Sequence, residues 1–246
     1  MGIRLEFLEL FDSATQALAN KPDAAWIMGS QQCSFTADAG NAWLAKHGYG
    51  APLGDGWTDD PAPVFQAMGY SSYVDVDIND LARRKLDLVE PLPDDCHHQA
   101  DLVVDAGTLE HIFELPAALR NMNRILKPGG VILHLTPVNF FDHGFINVNP
   151  CLYHDFYKAN GYTQLFLTFQ MTIHNPLRIP RISPWMPFRL ARFTLPYKNP
   201  DGVDWVRFMR RLSAITRLPR NLLVVGAFRK EDERAEFNSP TDIWDN

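Results

Sequence analysis

Two acids, a glycine and an imidazole close the stretch "DLVVDAGTLEH", residues 101–111: Asp105, Gly107, Glu110 and His111. The apolar run reads as a buried strand, and polar residues that follow it through a glycine turn stand where a strand end meets a ligand. A second imidazole, His143, sits beside Gly144 in "NFFDHGF", beyond another apolar run. An imidazole that is neutral near pH 7 can take the proton of a hydroxyl as its oxygen attacks, an effect of about 10²–10⁴ in rate. The alternative for His143 is a hydrogen bond that anchors its loop, and for His111 a packed ring that shapes a pocket. His97 and His98, in "DDCHHQADL", precede the strand at its other end. With no third ligand nearby in sequence they read as a solvated turn, and no metal site is expected.

The elements that must position these residues alternate. Leu5, Leu8, Phe11, Thr15 and Leu18 share a face at helical spacing, which predicts an amphipathic helix over 5–18. "AAWIMG" (24–29) predicts a first strand that ends in glycine. A helix around "AGNAWLAKHG" follows, then a Gly/Pro/Asp-rich loop, "YGAPLGDGWTDDPAP". "SSYVDVD" (71–77) alternates as a second strand, "KLDLVEPLP" predicts a third broken by Pro91 and Pro93, and "DLVVDAG" the fourth. Residues 115–126 form a helix, "LKPGG" a Pro–Gly turn, and "GGVILHLTP" the fifth strand. "NPCLYHDFYKANGY" reads as a helix with an Asn–Gly stop, and "TQLFLTFQMTIH" and "NLLVVGAFRK" as late strands. Strands alternating with helices predict an α/β fold, a seven-stranded, mostly parallel, Rossmann-like sheet with helices on both faces and ligands beyond the carboxyl ends of its strands.

Composition narrows the class. A chain of 246 residues, 46% hydrophobic, is expected to form one domain, residues 1–246, with a leading helix and a long insertion at about 163–220. Cys33, Cys96 and Cys151 are too few and scattered for a disulfide framework, which points to a reducing cytoplasm. No signal peptide or membrane span is expected, since Glu6, Glu9 and Asp12 interrupt the N-terminal apolar residues. The net charge of −6 argues against a nucleic-acid binder. Between Arg178 and Arg220, however, basic residues run against only Asp201 and Asp204, and over 174–200 they are interleaved with Trp185, Phe188 and Phe193 and no acid. This mixture suits an acceptor with an anionic head and an apolar part, such as a lipid-linked glycan at the inner membrane face, or else an ordinary lid.

"ADLVVDAGTLEHIFELPAALRNMNRILKPGGVILHLTPVN" resembles the central part of class I S-adenosylmethionine-dependent methyltransferases: strand, Glu–His, helix, "LKPGG" turn, strand. The continuation "FFDHGFINVNPCLYHDFYKANGY" resembles a bacterial subgroup whose members often accompany surface-polysaccharide genes. The resemblance covers about residues 70–162. It implies S-adenosyl-L-methionine as cofactor and methyl transfer by direct displacement, in which alignment of the reactants alone is worth about 7–11 kcal/mol and no metal is required.

The same resemblance assigns residues. Gly29 matches the first-strand glycine of the family, while Ser30 and Gln31 stand where further glycines are usual and are expected to contact the cofactor through their side chains. Asp77 takes the ribose hydroxyls, with Asp75 as its rival. Asp87 and Leu88 read the adenine edge, or else Asp87 caps a turn. Asp105, Gly107 and Thr108 border the methyl-transfer site, Asp101 is structural, and His143, with His111, is the candidate base where this topology places the acceptor. The expected reaction is O-methylation of a sugar or glycan hydroxyl. The missing glycines leave a noncatalytic relative as the alternative; a nicotinamide dehydrogenase is disfavoured because "MGSQQCSF" lacks the Gly-x-Gly-x-x-Gly loop.

Overall fold

The computed structural model describes residues 2–50, 53–54, 56, 59–140, 142–171, 222–233 and 237–240. Its strands are β1 (Ala24–Met28), β2 (Ser72–Asp77), β3 (Arg84–Lys85), β4 (Ala100–Asp105), β5 (Leu126–Pro137), β6 (Tyr162–Met171) and β7 (Leu222–Lys230). They form one seven-stranded sheet in the order β3-β2-β1-β4-β5-β7-β6. β1 to β5 run parallel, and β7 is antiparallel to both β5 and β6. The Rossmann-like order reverses between β1 and β4, which makes the carboxyl ends of those two strands the switch point.

β1 and β4 are buried along their whole length, as strands covered on both faces must be. Alternate side chains feed two cores. Ala25, Ile27, Leu102, Val104 and Leu133 pack with Phe11 and Phe65. These come from α1 (Leu8–Gln16) and α3 (Ala62–Ala67), and α2 (Ala37–Lys46) covers the same face. Trp26, Met28, Val103 and Ile132 pack on the other side, against Leu119 and Met122 of α4 (Leu115–Ile125) and Tyr153 and Tyr157 of α5 (Pro150–Ala159).

The pattern of elements follows the sequence, with four local differences. The leading helix begins as a 3-10 turn over Leu5–Phe7 and stops at Gln16. The short helix α3 begins in the last two residues of the expected loop, where Pro63 suits a first turn, and buries Val64 and Phe65 just beyond it. The strand expected over "KLDLVEPLP" shrinks to Arg84–Lys85, because Asp87 Oδ1 accepts from Val89 N at 3.0 Å and turns the chain away. "LKPGG" keeps its turn chemistry within β5: Ala100 pairs with Leu126 and Leu102 with Val131, so the intervening residues loop out, with Gly129 at φ +80°. Residues 163–171 of the expected insertion belong to β6. The remainder to 220, including the basic stretch 174–200, lies outside the described residues. Among the described residues no helix is long and apolar enough to cross a membrane.

Asp101 closes the amino edge of the sheet. Its Oδ2 accepts from Ala24 N at 2.8 Å, from Asp23 N at 3.2 Å and from Lys127 Nζ at 3.0 Å. Replacing it leaves the buried Ala24 amide without a partner, which costs about 1–3 kcal/mol. Asp101→Ala is therefore expected to lower the urea midpoint with an unchanged m value and, being far from the carboxyl edge, to leave ligand affinity intact.

Candidate active site

At the end of β1 the chain turns through Gly29, whose φ of +80° strains any other residue. A Cβ there would lie 2.6 Å from Thr108 Oγ1, so the turns after β1 and β4 touch. Thr108 Oγ1 donates to Met28 O at 2.7 Å and fixes that contact. Ser30 and Gln31 serve the turn itself: Ser30 N donates to Asp77 Oδ2 at 2.8 Å, Ser30 Oγ to Asp75 Oδ2 at 3.3 Å, and Gln31 Nε2 to Met28 O at 3.4 Å. The hydroxyl of Ser30, an exposed residue, thus has Asp75 as one partner. In place of a glycine loop, polar ties to the ends of β1 and β2 set the curvature. Gln31 Oε1 remains buried without a hydrogen-bond partner.

Asp75 and Asp77 have unlike surroundings. Asp75 is buried and paired with Arg83 Nη1 at 2.8 Å. Asp77 is half-buried at the strand end, where Oδ1 accepts from Asn79 N at 3.3 Å, and its two oxygens retain acceptor capacity. Farther along, Asp87 is exposed and Leu88 buried. Asn121 of α4 holds their turn by donating to Leu88 O at 2.8 Å and Glu90 O at 2.7 Å.

Asp105 differs from its expected role. It is fully buried, and its Oδ1 accepts from Thr108 N at 3.0 Å and Leu109 N at 3.1 Å while His134 Nδ1 donates to Oδ2 at 2.8 Å. It cannot border the site with its own side chain, but it shapes the turn that does, in which Gly107 takes φ +87°. His134 lies opposite Asp105 in the sheet register, and its Nε2 stands 2.6 Å from the Tyr157 hydroxyl. Burial, with Tyr162 and Tyr153 adding to it, raises the Tyr157 phenol well above its usual range, so it stays protonated and its O–H is able to donate to Nε2 while Nδ1–H donates to Asp105. The Tyr153 ring stacks on His134 at 4.3 Å, and its hydroxyl meets Thr136 Oγ1 at 2.8 Å. The sequence reading missed this network. Its signal is present, however: His134 and Thr136 alternate in an apolar strand, and Tyr153 and Tyr157 stand one helical turn apart.

The loop after β5 folds back onto the turn after β4. Phe145 N and Ile146 N both donate to Glu110 O, at 2.7 and 3.2 Å. Gly144, at φ +68°, lies so close that a Cβ would stand 2.6 Å from Glu110 O. This docking brings together residues 32 positions apart in sequence: the His111 and His143 rings meet edge to face at 4.9 Å. Between them lies Glu110, fully buried. His143 Nε2 is 3.4 Å from Glu110 Oε1, near enough for an ion pair but off the hydrogen-bond direction, and neither Glu110 oxygen nor that nitrogen has a hydrogen-bond partner. Burial, reinforced by the charge of Asp105, pushes the Glu110 carboxyl up to about 8. Partial burial of the ring, with His143 beside it, lowers His111 below the usual imidazole range. His97 and His98 lie apart at the opposite edge, where His98 N donates to Arg124 O at 2.8 Å and its ring stands 3.4 Å from Leu126 O and from Glu233 Oε2.

A family model described as a methyltransferase domain matches residues 17–182. The chain belongs to this methyltransferase-domain family. The resemblance of residues 70–162 implies S-adenosylmethionine as its cofactor. No curated protein sequence matches the methyltransferase. Similar solved structures include YcgJ from Bacillus subtilis, 11% identical, with 92% of this chain and 99% of that one covered and a TM-score of 0.47. An S-adenosylmethionine-dependent methyltransferase from Mesorhizobium loti is 12% identical over 92% of this chain and 100% of its own, with a TM-score of 0.41. The trans-methyltransferase CalH, in complex with SAH, is 19% identical, with 52% of this chain and 36% of that one covered and a TM-score of 0.33. The chain thus spans about a third of the length of CalH, and 52% of the citrinin polyketide synthase CMeT domain.

The turn residues fit this cofactor. Gln31 Oε1 is a buried acceptor in need of a donor, Asp77 ends β2 with lone pairs to spare, and Gly29 has no side chain where the turns converge. The network beneath them is testable separately. Tyr157→Phe strands His134 Nε2 and is expected to cost about 1–3 kcal/mol, a melting shift of about 2–4 °C for each kcal/mol in a chain of this size. Tyr153→Phe should cost less, because the Thr136 hydroxyl can rotate to another acceptor. Thermal unfolding of the two variants against the parent checks the order.

Proposed function

We propose that the methyltransferase transfers a methyl group to a hydroxyl oxygen, with a sugar or glycan as acceptor. The observation that carries this reading is the convergence of His111 and His143 over Glu110, beside the turn of Gly29 and Thr108. A hydroxyl must shed its proton as it becomes the nucleophile, and two imidazoles at the carboxyl ends of β4 and β5 suit that demand. The bound cofactor supplies a methyl group already activated by positive sulfur. In this reading Asp77 accepts from the ribose hydroxyls, Asp87 and Leu88 flank the adenine, and Gln31 Oε1 receives a donor from the methionine part. Gly107 and Thr108 border the transferred methyl, and His143, with His111 beside it, is the acceptor-side group on which proton removal depends. The glycan as acceptor follows from the resemblance of residues 140–162 to the polysaccharide-associated subgroup. The basic and aromatic stretch 174–200 suits a lipid-linked form of it at an anionic membrane face.

S-Adenosylhomocysteine at about a hundred times its dissociation constant should stabilise the protein by roughly 2.7 kcal/mol, a melting shift of about 5–10 °C. Asp77→Ala should shrink that shift. The absence of both a shift and calorimetric heat at millimolar ligand would sink the reading. Once an acceptor is found, His143→Ala is expected to lower turnover about a hundredfold while leaving cofactor affinity nearly unchanged. Loss of cofactor affinity in that variant would move His143 to the cofactor side of the site.

A further inference from the structure

One carboxylate oxygen of Glu110 and one ring nitrogen each of His111 and His143 lie within 4.8 Å of one another. Both oxygens of Glu110 and the Nε2 of His143 are buried without a hydrogen-bond partner. Buried polar groups are nearly always satisfied, so three unsatisfied atoms gathered at one point indicate a ligand they share. The spacing says which kind. The 3.4 Å between His143 Nε2 and Glu110 Oε1 is poorly directed for a hydrogen bond. It does match two ligands of one cation, which stand about 3–3.5 Å apart when the metal–ligand bonds are about 2.0–2.2 Å. The exposed His111 ring can complete the set by a small rotation.

We propose that Glu110, His111 and His143 bind one divalent transition-metal ion. Two imidazoles and a carboxylate suit zinc, or iron(II), cobalt(II) or manganese(II), and do not suit magnesium or calcium, which prefer oxygen donors. The sequence gives no metal-ligand spacing because the two histidines lie on different loops, joined only when Gly144 and the amides of Phe145 and Ile146 dock on the Glu110 backbone. Three protein ligands leave positions open for a further oxygen, as in catalytic metal sites. The role of the ion rests on the methylation reading. At such a position it draws electron density from the acceptor hydroxyl, whose proton passes to water. The oxygen lone pair forms the new C–O bond, the S–CH₃ bond breaks with its electron pair on sulfur, and S-adenosylhomocysteine leaves as a neutral thioether. No atom but the cofactor sulfur loses charge to balance the released proton, and the metal keeps its oxidation state. His143 then promotes proton removal by holding the ion, not by taking the proton itself.

The test uses the whole chain after chelator treatment, titrated with Co²⁺ by visible absorption and with Zn²⁺ by calorimetry. One equivalent per chain is expected, weakened about tenfold or more in Glu110→Gln and in His143→Ala, and unchanged in His97→Ala. If Glu110→Gln folds poorly by circular dichroism, His143→Ala, at a partly exposed position, carries the comparison. S-Adenosylhomocysteine binding is measured in parallel on the chelated protein. Cofactor binding without saturable cation binding, or cation binding equal in the variants and the parent, overturns the metal site and leaves the methylation reading intact. Cation binding that the variants lose, without cofactor binding, upholds the site and removes the methylation reading.

Discussion

The Asp105 carboxylate receives two amides of the following turn through one oxygen and the His134 ring through the other, out of contact with water. The first pair of bonds curls residues 106–109 so that Thr108 reaches the end of β1. The third ties β4 to β5 and, through Tyr157, to α5. One buried acid therefore sets the relative positions of the turn after β1, the Glu110 segment and the helix that follows the His143 loop. A buried carboxylate with fewer partners would cost several kcal/mol, so the arrangement holds only if the whole network closes.

Glu110, five residues on, is the opposite case. It is just as buried, yet its oxygens have no hydrogen-bond partner, and the neighbouring Asp105 charge adds to the cost of ionising it. Two carboxyl groups on one turn thus occupy unlike states, one saturated and structural, the other unsatisfied and turned toward the histidines. Such a divergence is how one strand end can be both rigid and reactive. A local cost of this kind, offset by the packing around it, is expected where a protein works rather than where it merely holds together.

Much of this was legible from residue patterns. β1, the middle of β4 and the later part of β5 read as mainly apolar runs because both of their faces are covered, and α4 and α5 show their periodicity and stops plainly. The positions of Gly29, Asp77 and Gly107 at strand ends follow from the same patterns. What escaped depends on register and docking. That His134 faces Asp105 requires knowing how many residues of "LKPGG" loop out of β5, and that His143 reaches Glu110 requires the close backbone approach at Gly144. The bonding of Ser30 to Asp75 and of Thr108 to Met28 escaped for a related reason: a hydroxyl at a strand end bonds to whichever partner is nearer, and composition does not tell protein from ligand.

The pairing at the sheet edge has a further consequence. Met171 pairs with Leu222, and Leu223 with Pro137 at the end of β5, so the chain leaves β6 and re-enters β7 at neighbouring points on the same rim as the active site. Closing a connection between adjacent antiparallel strands depends only weakly on its length, about 0.6 kcal/mol for each doubling. A change in the number of residues between Met171 and Leu222 therefore carries little closure penalty. A change of length between β6 and β7 is thus a change at the rim on which β1 and β4 also end, made without altering the pairing of the sheet.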